Sequence, residues 1–165
     1  MVMVNRLKVE LFSPGLASKK EQIQLGPFIY NLENLDGEAV NTTLGDGNIT
    51  FISYWATWCP PCIAELPSID ALYQDYGNKV NFLMISDENP EKIKLFLQKK
   101  NFSVPAVISK MAPPKGLYEK TIPTNYIIDH TGKIVVKEIG ASNWNSEKIR
   151  NLLEALIAER DASAK

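Results

Sequence analysis

The sequence predicts an α/β layer fold that closes on an antiparallel hairpin, and three observations carry that expectation. Residues 49–55, Ile-Thr-Phe-Ile-Ser-Tyr-Trp, form the short β-branched and aromatic run that a buried central strand needs. Directly after it the period changes, and Leu66, Ile69, Leu72, Tyr73 and Tyr76 recur at helical spacing. Two later apolar runs, 124–129 and 133–139, flank the tight-turn sequence Asp129-His130-Thr131-Gly132. Alternating strands and helices are the pattern of a layered sheet.

Taken in order, residues 1–24 are mixed, poorly periodic and broken by Ser13-Pro14-Gly15, an extension ahead of a single domain over 25–160. Residues 27–30 and 39–42 flank Asn34-Leu35-Asp36-Gly37, where Asp-Gly predicts a hairpin turn. Gly45-Asp46-Gly47-Asn48 punctuates the chain before the central strand. The helix over 60–76 contains Pro67, which is expected to kink it. Residues 80–86 return to an apolar strand. Asn89-Pro90 then supplies a cap and a first-turn proline for a helix over 90–100. Residues 102–109 read as a strand that Pro105 pushes toward a sheet edge. The loop Met111-Ala112-Pro113-Pro114 leads to a short helix near 115–120. The final helix starts behind Asn145 or Ser146 and buries Ile149, Leu152, Leu153, Leu156 and Ile157. Residues 159–165 are small and polar and predict a frayed end, with 161–165 as a tail outside the domain.

Composition narrows the function classes. A chain of 165 residues with 45% apolar content can bury a core, which excludes disorder. Eighteen basic against nineteen acidic residues leave a net charge of −1 with no basic block, so a nucleic-acid partner is not expected. No apolar run approaches the ~18 residues of a membrane-spanning helix, and the first residues show no signal-peptide pattern. There are two cysteines, Cys59 and Cys62, and one distant histidine, His130. That set cannot build a disulfide-rich scaffold or a four-ligand zinc site by itself, and neither metal nor cofactor is expected.

Trp58-Cys59-Pro60-Pro61-Cys62 stands where the buried strand gives way to a helix. A helix N-terminus offers unpaired N–H groups and a partial positive charge, both of which favour a thiolate. The spacing lets the second thiol reach the first after one turn. Cys59, at the turn and nearer solvent, is therefore the expected nucleophile, and Cys62 the thiol that resolves the mixed disulfide. Pro60 and Pro61 lack an N–H, so the amides of Cys62 and Ile63 are expected to serve the Cys59 sulfur. Neither proline carries charge. A moderately lowered Cys59 pKa and a reducing couple follow. A structural disulfide across so short a loop would constrain the unfolded chain little, which favours a redox-active pair.

The run Tyr54-Trp55-Ala56-Thr57-Trp58-Cys59-Pro60-Pro61-Cys62-Ile63-Ala64-Glu65-Leu66-Pro67 resembles the thioredoxin-like superfamily, and within it the membrane-anchored TlpA/ResA group of bacterial thiol–disulfide oxidoreductases. Ile122-Pro123-Thr124 is similar to the family's cis-proline loop, and Lys137-Glu138-Ile139-Gly140-Ala141 to its substrate-facing glycine loop. The similarity runs from about residue 25 to 158. It implies a thioredoxin fold with a four- or five-stranded sheet flanked by helices, an N-terminal β-hairpin extension and an inserted helix–strand element over 90–109. It also implies a docking groove walled by Trp58 and Pro60, in which a substrate strand pairs with the backbone at Ile122 beside Pro123 and Gly140. Trp55 is expected in the core; Trp144 receives no direct role. Thioredoxin proper keeps a buried aspartate six residues before the first cysteine, and here Ser53 stands there. Glu65, three residues after Cys62 on the same helix face, is the candidate replacement as proton acceptor, against the alternative of a solvated helix glutamate.

The expected function is thiol–disulfide oxidoreduction on disulfides of extracytoplasmic proteins. The resemblance implies a membrane thiol–disulfide carrier as electron donor, a periplasmic or membrane-anchored extracytoplasmic location, and action as a monomer. Cytochrome c maturation is one task of such relatives, and nothing in the sequence selects it. Two alternatives stand beside it: a non-catalytic thioredoxin-like binding or assembly module, and a thiol peroxidase. The peroxidase reading needs a threonine three residues before the reactive cysteine, where this chain has Ala56 and places Thr57 one residue later.

Overall fold

A computed structural model describes residues 13–16, 22–117 and 120–165. Among these residues, eight strands and three helices follow in the order β1 (Phe28–Tyr30), β2 (Leu32–Asn34), β3 (Thr42–Leu44), β4 (Thr50–Tyr54), α1 (Pro60–Tyr76), β5 (Asn81–Ser86), α2 (Pro90–Lys100), β6 (Ala106–Ser109), β7 (Thr124–Ile128), β8 (Ile134–Ile139) and α3 (Glu147–Ser163). Six strands form one mixed sheet in the order β2-β6-β5-β4-β7-β8, and β1 pairs with β3 apart from it. β4, β5 and β6 are parallel and are joined through α1 and α2, while β7 and β8 return antiparallel.

The strand period of two sorts side chains into two layers. Phe51, Phe82, Met84 and Ile127 pack with Leu66, Ile69 and Leu72 of α1, Ile93 and Leu97 of α2, and Ile149 and Leu153 of α3. All three helices thus contribute to one face. Ile52, Leu83, Ile85, Tyr126 and Ile128 point the other way, onto Tyr30, Leu44 and Leu117. The small β1–β3 ribbon supplies the second layer where helices are absent among the described residues.

The expected N-terminal hairpin is present with a different wiring. β1 pairs with β3, but β2 between them leaves the ribbon to pair antiparallel with β6. The Asp36-Gly37 turn is closed by Gly37 N–H donating to Asn34 O, and Gly37 takes the positive φ the turn requires. This wiring corrects the expectation for residues 102–109. β6 is not an edge strand, because β2 covers it, and the sheet has six strands. Pro105 lies just before the paired residues and contributes only its carbonyl, which accepts from Met84 N–H. No donor is missing there, so proline is tolerated inside the sheet.

Caps follow the sequence closely. Asn89 caps α2 through Glu91 N–H, Asn101 closes it in the left-handed region, and Ser146 caps α3 through Ile149 N–H. Residues 159–163 remain helical, contrary to the frayed end expected from composition. Arg160 donates to Lys79 O, and Ser163 Oγ to Glu159 O. α1 runs through Pro67 without ending. Residues 115–117 form a turn, and the rest of the short helix expected near 115–120 falls partly outside the described residues. The described part of the N-terminal extension lies along the β8 edge. Leu16 bridges Val136, Gln24 bridges Lys133, and Ile134 N–H donates to Ile23 O. An otherwise open sheet edge is covered there.

One buried charge links α1 to the inserted element. Asp70 Oδ1 accepts from the backbone N–H of Ser103 at 2.6 Å and of Val104 at 3.0 Å, and Oδ2 from Gln74 Nε2 at 2.8 Å. Replacing Asp70 with Ala strands two amides in a largely buried setting. The expected cost is roughly 2–4 kcal/mol of stability, read as a lower urea midpoint, with Asp70→Asn losing less.

Candidate active site

β4 is paired on both sides, Ile52 opposite Leu83 of β5 and Tyr126 of β7. The chain leaves its buried end through Trp55 and Ala56, turns with Cys59 N–H donating to Ala56 O at 3.3 Å, and enters α1. Cys59 is the N-cap of that helix and Pro60 its first residue, a position where a missing N–H costs nothing. Cys59 and Cys62 are joined by a disulfide, with Cα atoms 5.2 Å apart. Both are buried, Cys59 at 3% and Cys62 at 1% exposure, so the expected solvent advantage of Cys59 is slight in this oxidised form. Trp58 between strand and cysteine is 64% exposed, an unusual position for a ring of that size.

The Cys62 N–H points at Cys59 Sγ at 3.3 Å. The Ile63 N–H goes instead to Cys59 O at 3.0 Å, which corrects the expectation that both amides serve the sulfur. With prolines at the two intervening positions, a single backbone donor faces the nucleophile's sulfur among the described contacts.

The other predicted residues gather at this end of the sheet. The Ile122–Pro123 peptide bond is cis. Ile122 packs against the core cluster that contains both cysteines. Gly140 N–H donates to Pro123 O at 2.9 Å, and its φ of 93° is one that side-chain-bearing residues rarely adopt. An added Cβ there would meet nothing within 4 Å, so backbone conformation rather than space calls for glycine.

Glu65 is buried outright, at 1% exposure, rather than solvated on the helix surface. Its Oε1 accepts from Asn125 Nδ2 at 2.8 Å; its Oε2 accepts from Trp144 Nε1 at 3.1 Å and Ser142 N–H at 3.2 Å. Burial pushes its carboxyl up to about 8, against the pull of those three donors. Asn125 stands opposite Ser53 in the β4–β7 register. Both are fully buried, and Ser53 Oγ and Asn125 Oδ1 have no hydrogen-bond partner among the described residues. The polar patch behind the disulfide is therefore Glu65, Asn125, Ser53, Ser142 and the Trp144 indole. Sequence reasoning reached Glu65 and Ser53 but missed Asn125, Ser142 and Trp144. A polar residue in the otherwise apolar run Thr124–Ile128 was the available signal for Asn125. Nothing local pointed to Ser142 or the indole.

A second carboxylate braces the turn from the opposite side. Glu88 accepts from Thr57 N–H at 2.6 Å and Thr57 Oγ1 at 2.7 Å, and pairs with Lys92 at 3.0 Å. Burial raises its carboxyl, but the Thr57 hydrogen bonds and the Lys92 charge outweigh that and hold it below the ordinary carboxylate range. Among the described residues no group of three or more His, Cys, Asp or Glu side chains is placed to hold a metal ion.

The raised Glu65 carboxyl makes stability fall with pH. Below about 4.5 the carboxyl is protonated in both folded and unfolded chains. Between there and about 8 only the unfolded chain releases the proton, and the folded state loses ground at about 1.4 kcal/mol per unit. Urea midpoints of the oxidised protein are expected to drop by roughly 3–5 kcal/mol equivalent between pH 5 and 9. Glu65→Gln is expected to flatten that dependence.

Comparison with known proteins agrees with this geometry. Residues 28–137 match the AhpC/TSA family. The chain is 34% identical over 131 residues to "Thiol-disulfide oxidoreductase ResA" of Bacillus cereus, with 76% of each chain covered. The crystal structure of StoA from Bacillus subtilis superposes with a TM-score of 0.60 at 24% identity, covering 78% of this chain and 96% of that one. That of a putative thiol-disulfide oxidoreductase from Bacteroides vulgatus gives 0.62 at 28% identity, covering 79% and 94%. The architecture is a thioredoxin fold with its N-terminal hairpin and inserted helix–strand pair, and the chain belongs to the AhpC/TSA family as a relative of the ResA-named proteins.

Proposed function

We propose that the protein is a thiol–disulfide oxidoreductase that reduces disulfides of extracytoplasmic proteins through Cys59 and Cys62. The observation that carries the reading is the Cys59–Cys62 disulfide at the N-cap of α1, with the Ile122–Pro123 cis loop packed against the same cluster. The names of its relatives support it.

In the reduced protein the Cys59 thiolate, facing the Cys62 N–H, attacks one sulfur of the substrate disulfide. A Cys59–substrate bond forms and the other substrate sulfur leaves as a thiolate, taking up a proton. Cys62 loses its proton and attacks the Cys59 sulfur, expelling the second substrate thiolate. Two electrons pass to the substrate, and the protein is left with the Cys59–Cys62 disulfide. Glu65 is the proton acceptor for Cys62. It lies one turn further along α1 and accepts the proton in its ionised form, a minority at neutral pH with the carboxyl at about 8 and a growing one as the pH rises toward that value. Ile122 pairs with the substrate backbone, with Trp58, Pro60, Pro123 and Gly140 around it. A membrane thiol–disulfide carrier re-reduces the pair, and the protein acts as a monomer on the extracytoplasmic side. No helix among the described residues is long and apolar enough to cross a membrane.

The peroxidase alternative loses ground on one hydrogen bond. The Thr57 hydroxyl is committed to Glu88, and Ala56, at the position where peroxidases carry threonine, has no hydroxyl to orient a peroxide.

Dithiol-dependent insulin reduction is expected for the wild type and absent for Cys59→Ser; a wild type without it would favour the binding-module reading. Cys62→Ser is expected to retain mixed disulfides on Cys59, and their identification names the substrate. In stopped-flow measurements Glu65→Gln is expected to slow the resolving step by about 10²-fold while changing the first attack less than about twofold. Unchanged turnover would remove Glu65 from the mechanism.

A further inference from the structure

Between the end of β4 at Tyr54 and the start of α1 at Pro60 the chain turns through residues 55–59. At one end of that link Trp55 N–H donates to Ile85 O, and at the other Cys59 N–H turns back onto Ala56 O. Between those points a separate element takes hold at Thr57. The holding group is Glu88, in the connection from β5 to α2. Its Oε1 accepts from the Thr57 backbone N–H at 2.6 Å and from Ser86 Oγ at 3.3 Å. Its Oε2 accepts from Thr57 Oγ1 at 2.7 Å and pairs with Lys92 Nζ at 3.0 Å. Four donors thus fix a carboxylate whose side chain is 7% exposed. Two of them belong to the residue two places before the nucleophile. Among the described contacts Glu88 bonds to the turn and not to either sulfur, so it acts on the pair through the backbone.

We infer that Glu88 is a positioning residue for the Cys59–Cys62 pair: by pinning Thr57 it keeps the turn in the conformation that closes the disulfide, and so makes the pair a stronger reductant. The inference rests on the oxidoreductase reading and deepens it. In the oxidised protein the S–S bond holds Cys59 to Cys62 by itself. In the reduced protein that tie is gone, and the link depends on Glu88 and on the Cys59–Ala56 hydrogen bond. Losing the brace therefore frees the reduced form more than the oxidised one. Conformational freedom lowers the free energy of the form that gains it, so the equilibrium moves toward the dithiol. With the brace in place the two thiols meet at a higher effective concentration. Closure then gives up two electrons and two protons more readily, and the substrate disulfide takes them up as two thiols. Acceptor geometry, not charge, carries the effect. An amide at this position keeps one oxygen for the Thr57 N–H and offers its own N–H to Thr57 Oγ1, while Lys92, 57% exposed, turns to solvent.

The test is the equilibrium of the full-length protein with dithiothreitol redox buffers at pH 7, the dithiol fraction being read by alkylation of Cys59 and Cys62. Glu88→Ala is expected to move the equilibrium constant about tenfold toward the dithiol, a potential less negative by ~30 mV. Thr57→Val, which removes the hydroxyl and leaves the N–H, is expected to move it about threefold in the same direction. Glu88→Gln is expected to recover most of the wild-type value. Equal potentials for the wild type and Glu88→Ala would overturn the role even if the urea midpoint fell, since a merely structural contact behaves that way. A shift in Glu88→Gln as large as that in Glu88→Ala would overturn it as well, because the lost charge would then be the cause. Should Glu88→Ala not fold, Thr57→Val decides, and an unmoved potential there overturns the role. Each of these results leaves the oxidoreductase reading intact. A wild-type pair that does not exchange with dithiothreitol would overturn that reading and the role of Glu88 with it.

Discussion

The active-site turn rests on one constraint, the double pairing of β4. With β5 hydrogen-bonded on one side and β7 on the other, that strand has no register to slip into. Its last residues therefore deliver Cys59 to the start of α1 at a fixed place. The same pairing sets Asn125 of β7 opposite Ser53, and so assembles the polar patch behind the disulfide. Thr57 is held to Glu88 on the far side of the turn. The loop that must open and close an S–S bond is thereby braced from two directions, by the sheet and by the N-terminus of α2.

Glu65 shows two opposing terms at one atom group. Three N–H donors would ordinarily stabilise a carboxylate, yet burial outweighs them and keeps the proton near neutrality. A carboxyl in that condition weakens the fold as pH rises. The indole of Trp144 packs edge-on against Phe51 with ring centroids 5.0 Å apart while donating to Glu65.

The distribution of layers also bears on recognition. Helices cover one face of the sheet, whereas the β1–β3 ribbon and its loops cover the other. The end of β1 at Tyr30 and the loop at Met111 line one cavity together with Trp58.

Much of this protein was legible in order along the chain. The run 49–55, the helical spacing after Leu66, the Asn89 cap and the turn at Asp129–Gly132 each encode a local preference, and each element formed where its residues favoured it. The cysteine pair and Pro123 were equally visible, because two prolines between cysteines and a proline before a strand are local patterns. Composition misled where distant partners decided. Residues 159–163 stayed helical because Arg160 reaches Lys79, and β6 became interior because β2 left its hairpin to cover it. The surroundings of Glu65 were decided only by tertiary structure. Asn125, Ser142 and Trp144 lie 60, 77 and 79 residues away in sequence, and no periodicity records a hydrogen bond across that distance. Local sequence determined which residues could react; packing determined what environment they react in, because burial and long-range hydrogen bonds exist only once the sheet has closed.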